Sequence, residues 1–386
     1  MTQDTLCGRD KHLFGPGPKR VLALDGGGVR GIISLAYLER IEQLLRKQYG
    51  DKTRLCDAFD LIGGTSTGSI IATGLALGRD ATTLIEIYKD LSSEGFKGSR
   101  WHGGVFVPKF DDKALEKVIR REIQDATLGS EALLTGLAII AKRLDTGSVW
   151  AFHNNPKGPY FGVEGEDRGY TPNKDLSLVK LIRASTAAPT FFAPEKIAIA
   201  KDVEGLFVDG GVSPHNNPAL MLLMLATLKG YGFRWPTGAR NLSILSLGTG
   251  TQPITPSQMP GSWQPSAALA VLALRSVIVD NSWLAQTLLQ WLGTSPAPWP
   301  IDSEIGDCAD DEVMGGPMFS YLRYDVMLDV DWLSKTLSIE RTAKQLGRLY
   351  AFDRPKAAEE LLALGREAAE KQVRAEHVAA LFDDTN

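Results

Sequence analysis

Three short apolar runs, each closed by a glycine-bearing turn with a chemically distinctive residue, constrain this chain more than any other feature. Val21–Leu24 leads into Asp25-Gly26-Gly27-Gly28-Val29-Arg30-Gly31, and Phe59–Ile62 leads into Gly63-Gly64-Thr65-Ser66-Thr67-Gly68. Leu206–Val208 leads into Asp209-Gly210-Gly211. Runs of this length between turn signals read as buried strands. After the first, Ile33, Tyr37, Ile41 and Leu44 recur at helical spacing from about Gly31 to Gln48, and a second apolar helix follows Ser66 to about Leu77. Strand, tight turn and helix in repetition predict an α/β fold with a mainly parallel sheet. Ligands of such sheets bind beyond the carboxyl ends of the strands. All three turns are therefore expected on one edge.

The remaining pattern is less regular. Trp101 to Phe110 reads as a loop, Asp111 to Ile123 as a charged helix, Val149–His153 as a short strand and Leu178–Ala187 as a helix stopped by Pro189. The apolar segment Pro218 to Leu228 predicts a buried helix, and Leu242–Leu247 a strand closed by Gly248-Thr249-Gly250. Gln252 to Pro265 is a loop. Ala267 to Leu292 is helical and apolar almost all round, which favours core packing over a cover for a site or a helix at a membrane interface. Tyr321–Val330 alternates, with Leu322, Tyr324, Val326 and Leu328 on one side, as an amphipathic strand would. From Arg354 onward the residues predict a solvated helical extension. The expected division is a tail over 1–18, a main domain over 19–335 and a helical extension over 336–386.

Charge narrows the function classes. The 42 basic and 46 acidic residues leave a net charge of −4, so no global basic field recruits nucleic acid. The apolar stretch Ala267 to Leu274 falls short of the roughly 20 residues of a membrane span, so any membrane contact is expected to be peripheral. Met1 to Arg20 is polar and lacks the apolar core of a secretory leader, which points to the cytoplasm. Cys7, Cys56 and Cys308 are scattered and odd in number, without metal-ligand spacing, so inert thiols and no metal site are expected.

The second turn, Gly64-Thr65-Ser66-Thr67-Gly68, fits the G-x-S-x-G nucleophile elbow. Its glycines leave room for backbone around a strained serine, and the following helix directs its amino-terminal dipole at Ser66. The first turn has two readings. Gly26, Gly28 and Gly31 fit the dinucleotide fingerprint G-x-G-x-x-G, but the second strand ends in a serine turn where that fingerprint expects an acidic residue. Alternatively the amides of Gly26, Gly27 and Gly28 form an oxyanion hole facing Ser66, with Arg30 adding charge or capping the turn. A serine nucleophile needs a base. Of the five histidines (His12, His102, His153, His215 and His377), only His215 lies near the constellation, six residues after Asp209. Asp209 is the better candidate, because an aspartate takes the proton directly once desolvation raises its pKa.

Together, Asp25–Gly31, Gly64–Gly68 and Asp209–Gly211 resemble, in order and context, the three signature blocks of patatin-like phospholipases. The resemblance covers roughly Arg20 to Gly250. It implies a three-layer α/β/α fold and a Ser66–Asp209 dyad that forms an acyl-enzyme. It further implies an oxyanion hole at Gly26–Gly28 helped by Arg30, phospholipid or other fatty-acyl esters as substrate, and no cofactor. A general carboxylesterase or lysophospholipase with the same dyad is the alternative. The segment Val212–Pro218 departs from the family pattern by one extra residue, and His215 is unexpected there.

Overall fold

The computed structural model describes residues 8–95, 112–162, 169–252, 266–311, 313, 315–350 and 357–382. The loop readings at 101–110 and 253–265, and with them His102, lie outside these residues. Eight strands form one sheet: β1 (Lys19–Leu24), β2 (Leu61–Thr65), β3 (Gly136–Arg143), β4 (Val149–His153), β5 (Glu195–Ala200), β6 (Val203–Asp209), β7 (Leu242–Leu247) and β8 (Ser320–Tyr324). Their order is β5-β6-β3-β2-β1-β7-β8, with β4 also on β3. From β3 to β8 all neighbours run parallel. Each strand of that block is buried on both faces, as parallel strands are. Along β1, Leu22 and Leu24 enter one core with Ile62 and the Gly31–Tyr49 helix, while Val21 and Ala23 enter the other with Leu222, Ile244 and Tyr321. Two helical layers thus sandwich the sheet, the expected three-layer α/β/α arrangement.

One premise about the third turn is corrected. β6 runs antiparallel to β3, so Asp209 does not end a parallel strand. It still reaches the same edge, because β3 overshoots β2. Thr65 pairs with Ile140, while Ala141 to Arg143 pair with Asp209 to Phe207. β6 approaches from beyond that edge and ends one residue past the level of Thr65.

Four further readings change. β3 and β5 were not read from the sequence at all. The alternating segment is a strand only over Ser320–Tyr324, and its supposed polar side, Arg323 and Asp325, is buried in an ion-pair network. The carboxyl-terminal helices are solvated on one face only. In the helix Ala358–Gln372, Leu361, Leu364 and Ala368 are buried, and a Cβ added at Gly365 would come within 2.9 Å of Ala36 Cβ on the Gly31–Tyr49 helix. Arg20, on β1, donates to the carbonyls of Leu381 and Phe382, holding the helix Ala375–Phe382 against the domain. Within the expected tail, Arg9–Phe14 is a helix with Leu13 buried, whose carbonyl accepts from the Trp235 indole.

The helix Ser266–Leu292 departs from the core-packing expectation. Ala285 and Leu289 are fully buried, but Val277, Leu284 and Trp291 are 53%, 56% and 46% exposed. Its buried positions include Gln286 and Gln290, and Gln290 is satisfied by the backbone of Trp299 and Asp307. Among the described residues no helix is long and apolar enough to cross a membrane.

Candidate active site

The first and second turns meet because β1 and β2 are adjacent, with Leu24 opposite Gly64. Ser66 sits between β2 and the helix Thr67–Ala76 with φ +54° and ψ −128°. A left-handed non-glycine residue costs about 1–3 kcal/mol and persists only where its surroundings enforce it. Here they do. A Cβ at Gly64 would stand 2.1 Å from the Gly68 carbonyl oxygen, and one at Gly68 would stand 2.2 Å from the Leu24 carbonyl oxygen. Neither backbone can yield, so the turn closes only with glycine on both sides, and the helix amino terminus falls at Ser66.

The Ser66 hydroxyl donates to Asp209 Oδ2 at 2.6 Å, and the Gly211 amide donates to Asp209 Oδ1 at 2.6 Å. Both side chains are nearly enclosed, at 8% and 5% exposure. Burial pushes the Asp209 carboxyl up to about 6, against the opposing pull of those two hydrogen bonds. The carboxylate is therefore ionised at neutral pH yet more basic than an exposed aspartate.

A residue missed in the sequence holds this geometry. Ser185, on the helix Leu178–Thr186, accepts from the Ser66 amide at 2.9 Å and donates to the Ile140 carbonyl of β3 at 2.6 Å. Its only signal is the small-residue run Ala184-Ser185-Thr186-Ala187-Ala188 at the helix end.

The first turn lies against Ser66, with two of the three amides of the expected oxyanion hole already bonded. The Gly26 amide donates to the Asn216 carbonyl at 3.0 Å and the Gly27 amide to Thr67 Oγ1 at 3.2 Å, so both are committed. The Gly28 amide has no partner among the described hydrogen bonds, and Gly28 takes a φ of +57° that favours glycine. Gly27 is needed for space, since a Cβ there would lie 2.1 Å from Thr249 Oγ1. Arg30 leads into the Gly31–Tyr49 helix and lines a cavity beside the turn. Asn216 and Thr249, both unassigned from sequence, hold Gly26 in place by donating to its carbonyl at 3.3 and 3.1 Å.

His215 contributes backbone, not imidazole. Its carbonyl accepts from Thr65 Oγ1 at 2.6 Å, whereas its ring Nδ1 is buried with no hydrogen-bond partner. The other described histidines bond elsewhere or stand apart: His12 pairs with Asp60, and His377 with Tyr324. His215→Ala is accordingly expected to keep kcat/KM for a short-chain ester within about threefold of the parent, since the described hydrogen bonds of this residue run through its backbone. A fall to background would restore a histidine base.

Behind the first turn lies a second constellation. Arg323, on β8, bonds both carboxylate oxygens of Asp25 (3.3 and 2.8 Å), Asp325 Oδ2 (2.9 Å) and Ser246 Oγ (2.7 Å). Asp325 in turn accepts from the Gly250 amide and Thr251 Oγ1. All three charged side chains are buried.

A serine turn at the edge of an α/β sheet, bonded to an aspartate that ends a strand two places away, defines a class, and sequence comparison places the chain in it. The model of the patatin-like phospholipase family matches residues 22–223, more than half of the chain, and the chain belongs to that family. It is 33% identical over 236 residues to a cGAMP-activated phospholipase of Escherichia coli strain TW11681, covering 60% of this chain and 62% of that one. It is 29% identical over 245 residues to Patatin-T5 of Solanum tuberosum, covering 60% of each. The chain thus spans about three fifths of the length of these relatives. Human GIVD cytosolic phospholipase A2 superposes over 97% of this chain and 61% of its own, at 11% identity and a TM-score of 0.45.

Proposed function

We propose that this protein is a lipid acyl hydrolase of phospholipase A type, with Ser66 as nucleophile and Asp209 as its base. The observation that carries the reading is the 2.6 Å hydrogen bond from the Ser66 hydroxyl to a buried carboxylate pushed up to about 6. In the first step Asp209 takes the hydroxyl proton as Ser66 Oγ attacks the ester carbonyl. The tetrahedral oxyanion is held by the Gly28 amide and by the first amides of the Thr67–Ala76 helix, whose dipole favours negative charge there. Collapse expels the alcohol, which takes the proton back from Asp209. Water, deprotonated by the same carboxylate, then hydrolyses the acyl-enzyme. No step calls for a cofactor.

The base must be ionised, so protonation removes activity. With the carboxyl at about 6, kcat/KM is expected to rise about tenfold per pH unit below that value and to level off above it. A profile measured between pH 4 and 9 on a nitrophenyl ester checks this. A flat profile from pH 4 upward would exclude Asp209 as the titrating base.

The substrate reading rests on the family and on a surface. Val277, Leu284 and Trp291 recur every seven residues, forming one exposed apolar line along the Ser266–Leu292 helix, with Trp291 at one end. Tryptophan favours the bilayer boundary. The line carries Asp280 beside it, and its three exposed apolar side chains offer burial as the source of attraction to lipid. Sedimentation with phosphatidylcholine vesicles is expected to bring the protein down equally at 0.05 and 0.5 M salt, and Leu284→Asp/Trp291→Asp to leave it in the supernatant. Release by salt would mean electrostatic docking instead. Product analysis on the same vesicles separates a phospholipase, which frees fatty acid from intact diacyl lipid, from an esterase or lysophospholipase, which does not.

A further inference from the structure

Three glycines in a row, Gly26-Gly27-Gly28, make soft backbone, because glycine loses more freedom on folding than any other residue. A donor that must meet an oxyanion needs the opposite, a position fixed in advance. Asn216 and Thr249 hold the Gly26 carbonyl, Thr67 Oγ1 holds the Gly27 amide, and the Arg30 amide holds the Gly27 carbonyl at 3.2 Å. Gly28, with its φ of +57°, completes the turn. Its carbonyl accepts from the Gly31 amide and from the hydroxyl of Tyr88, a residue 60 positions along the chain on the helix Ala81–Gly95. We infer that Tyr88 is a positioning residue for the reaction: by holding the Gly28 carbonyl, its hydroxyl fixes the Gly28 backbone so that the amide is kept for the oxyanion. The inference rests on Ser66 being the nucleophile and Gly28 an oxyanion donor.

The ring of Tyr88 is 2% exposed and shares the core with Val29, Ile32 and Leu91. A phenylalanine would fill the same space, so packing does not call for the hydroxyl. Gly31 makes room for it. That residue opens the Gly31–Tyr49 helix with φ −55°, a conformation alanine adopts with better helix propensity. A Cβ there would stand 2.4 Å from Tyr88 Oη and 3.2 Å from Thr67 Oγ1. Space for the hydroxyl, not backbone conformation, therefore asks for glycine at 31. The two side chains that converge on Gly31 grip the turn from opposite partners. Thr67 comes from the first residue of the helix that follows Ser66, and Tyr88 from the core. Burial drives the Tyr88 phenol well above its ordinary value, so it stays a donor throughout the working pH range and takes no part in proton transfer.

Tyr88→Phe keeps the ring and removes only the hydroxyl. Acylation and deacylation both pass through an oxyanion, so both should slow together. For a nitrophenyl ester, kcat is expected to fall about ten- to a hundredfold, with KM within about threefold of the parent. The acid limb of the pH profile should stay where Asp209 sets it. An alkyl trifluoromethyl ketone adds to Ser66 as the Oγ–C bond forms, its oxygen becoming an alkoxide while the serine proton passes to Asp209. Its inhibition constant should rise by about the factor by which kcat falls, since the same donors hold both oxyanions. A merely destabilised protein would instead show fewer active molecules with the parent's inhibition constant. Gly31→Ala pushes the same hydroxyl aside and should lower kcat likewise. The double variant should fall no more than about threefold below the weaker single one, because both remove one contact. Should Tyr88→Phe fail to fold, as circular dichroism would reveal, Gly31→Ala decides. If Ser66→Ala is inactive while folded Tyr88→Phe matches the parent in kcat and ketone inhibition, the role of Tyr88 is overturned and that of Ser66 stands. A rise in KM alone, or a displaced acid limb, would also overturn it, by assigning Tyr88 to substrate binding or to the base. If Ser66→Ala keeps the parent's turnover, the nucleophile reading falls and this inference with it.

Discussion

Ser66→Ala and Asp209→Asn are each expected to lower ester hydrolysis by a factor on the order of 10⁴ or more, with the fold retained. Alanine removes the hydroxyl that donates to Asp209. Asparagine is the sharper test, because it keeps the shape. Its carbonyl oxygen can still accept from the Gly211 amide, while its NH₂ replaces the oxygen that accepts from Ser66. Basicity is lost and packing is not. The same substitution carries a second signature of opposite sign. A carboxyl raised to about 6 by burial binds its proton more tightly folded than unfolded. Its contribution to stability is therefore present below the ordinary aspartate range and lost as pH rises toward 6 and beyond. At pH 7 the ionised Asp209 opposes folding, and Asp209→Asn should raise unfolding stability by an amount on the order of 2–3 kcal/mol. Activity lost with stability gained, read by ester assay and urea denaturation, is what a residue kept for chemistry does. Destabilisation with residual activity would mark Asp209 as structural.

Arg323→Met should cost about 3–5 kcal/mol of stability, the largest loss expected from any single site described above. The arginine is 4% exposed and holds two buried carboxylates that would otherwise face each other. Removing it leaves the negative charges of Asp25 and Asp325 uncompensated in low dielectric, whereas replacing the whole trio by apolar groups would not. Burial already pushes the Asp25 carboxyl up to about 6, with Arg323 pulling it down. Without the arginine the carboxyl rises further, so Asp25 takes up its proton above 6 and the deficit should shrink as pH falls toward 6 and level off below it. Urea midpoints at pH 5 and pH 8 check both statements. An unchanged midpoint at pH 8 would show the network to be dispensable. Because Asp25 opens the glycine turn and Asp325 bonds the Gly250–Thr251 backbone next to Thr249, turnover should fall with stability.

Much of the site was legible in the sequence because it is written locally. A strand followed by Gly-x-Ser-x-Gly can close only one way, since side chains at 64 and 68 would strike backbone. Asp209 was legible as a chemical type and as a turn. The reason it reaches Ser66 was not, because β6 runs opposite to the strands beside it and depends on β3 overshooting β2. The burial of Arg323 was not legible, because alternation in sequence cannot distinguish a polar surface from a buried ion network. The amides of Gly26 and Gly27 were read as free because their partners, the Asn216 carbonyl and Thr67 Oγ1, lie 190 and 40 residues away.

Short-range sterics and chemical type were therefore determined by the order of residues alone: where the turns fall, which hydroxyl is strained, and which carboxyl lies beside glycine. Tertiary structure decided which amides remain uncommitted, which charges are buried and how far Asp209 is raised. Those properties depend on what packs around a group, and packing brings together residues that the chain keeps far apart.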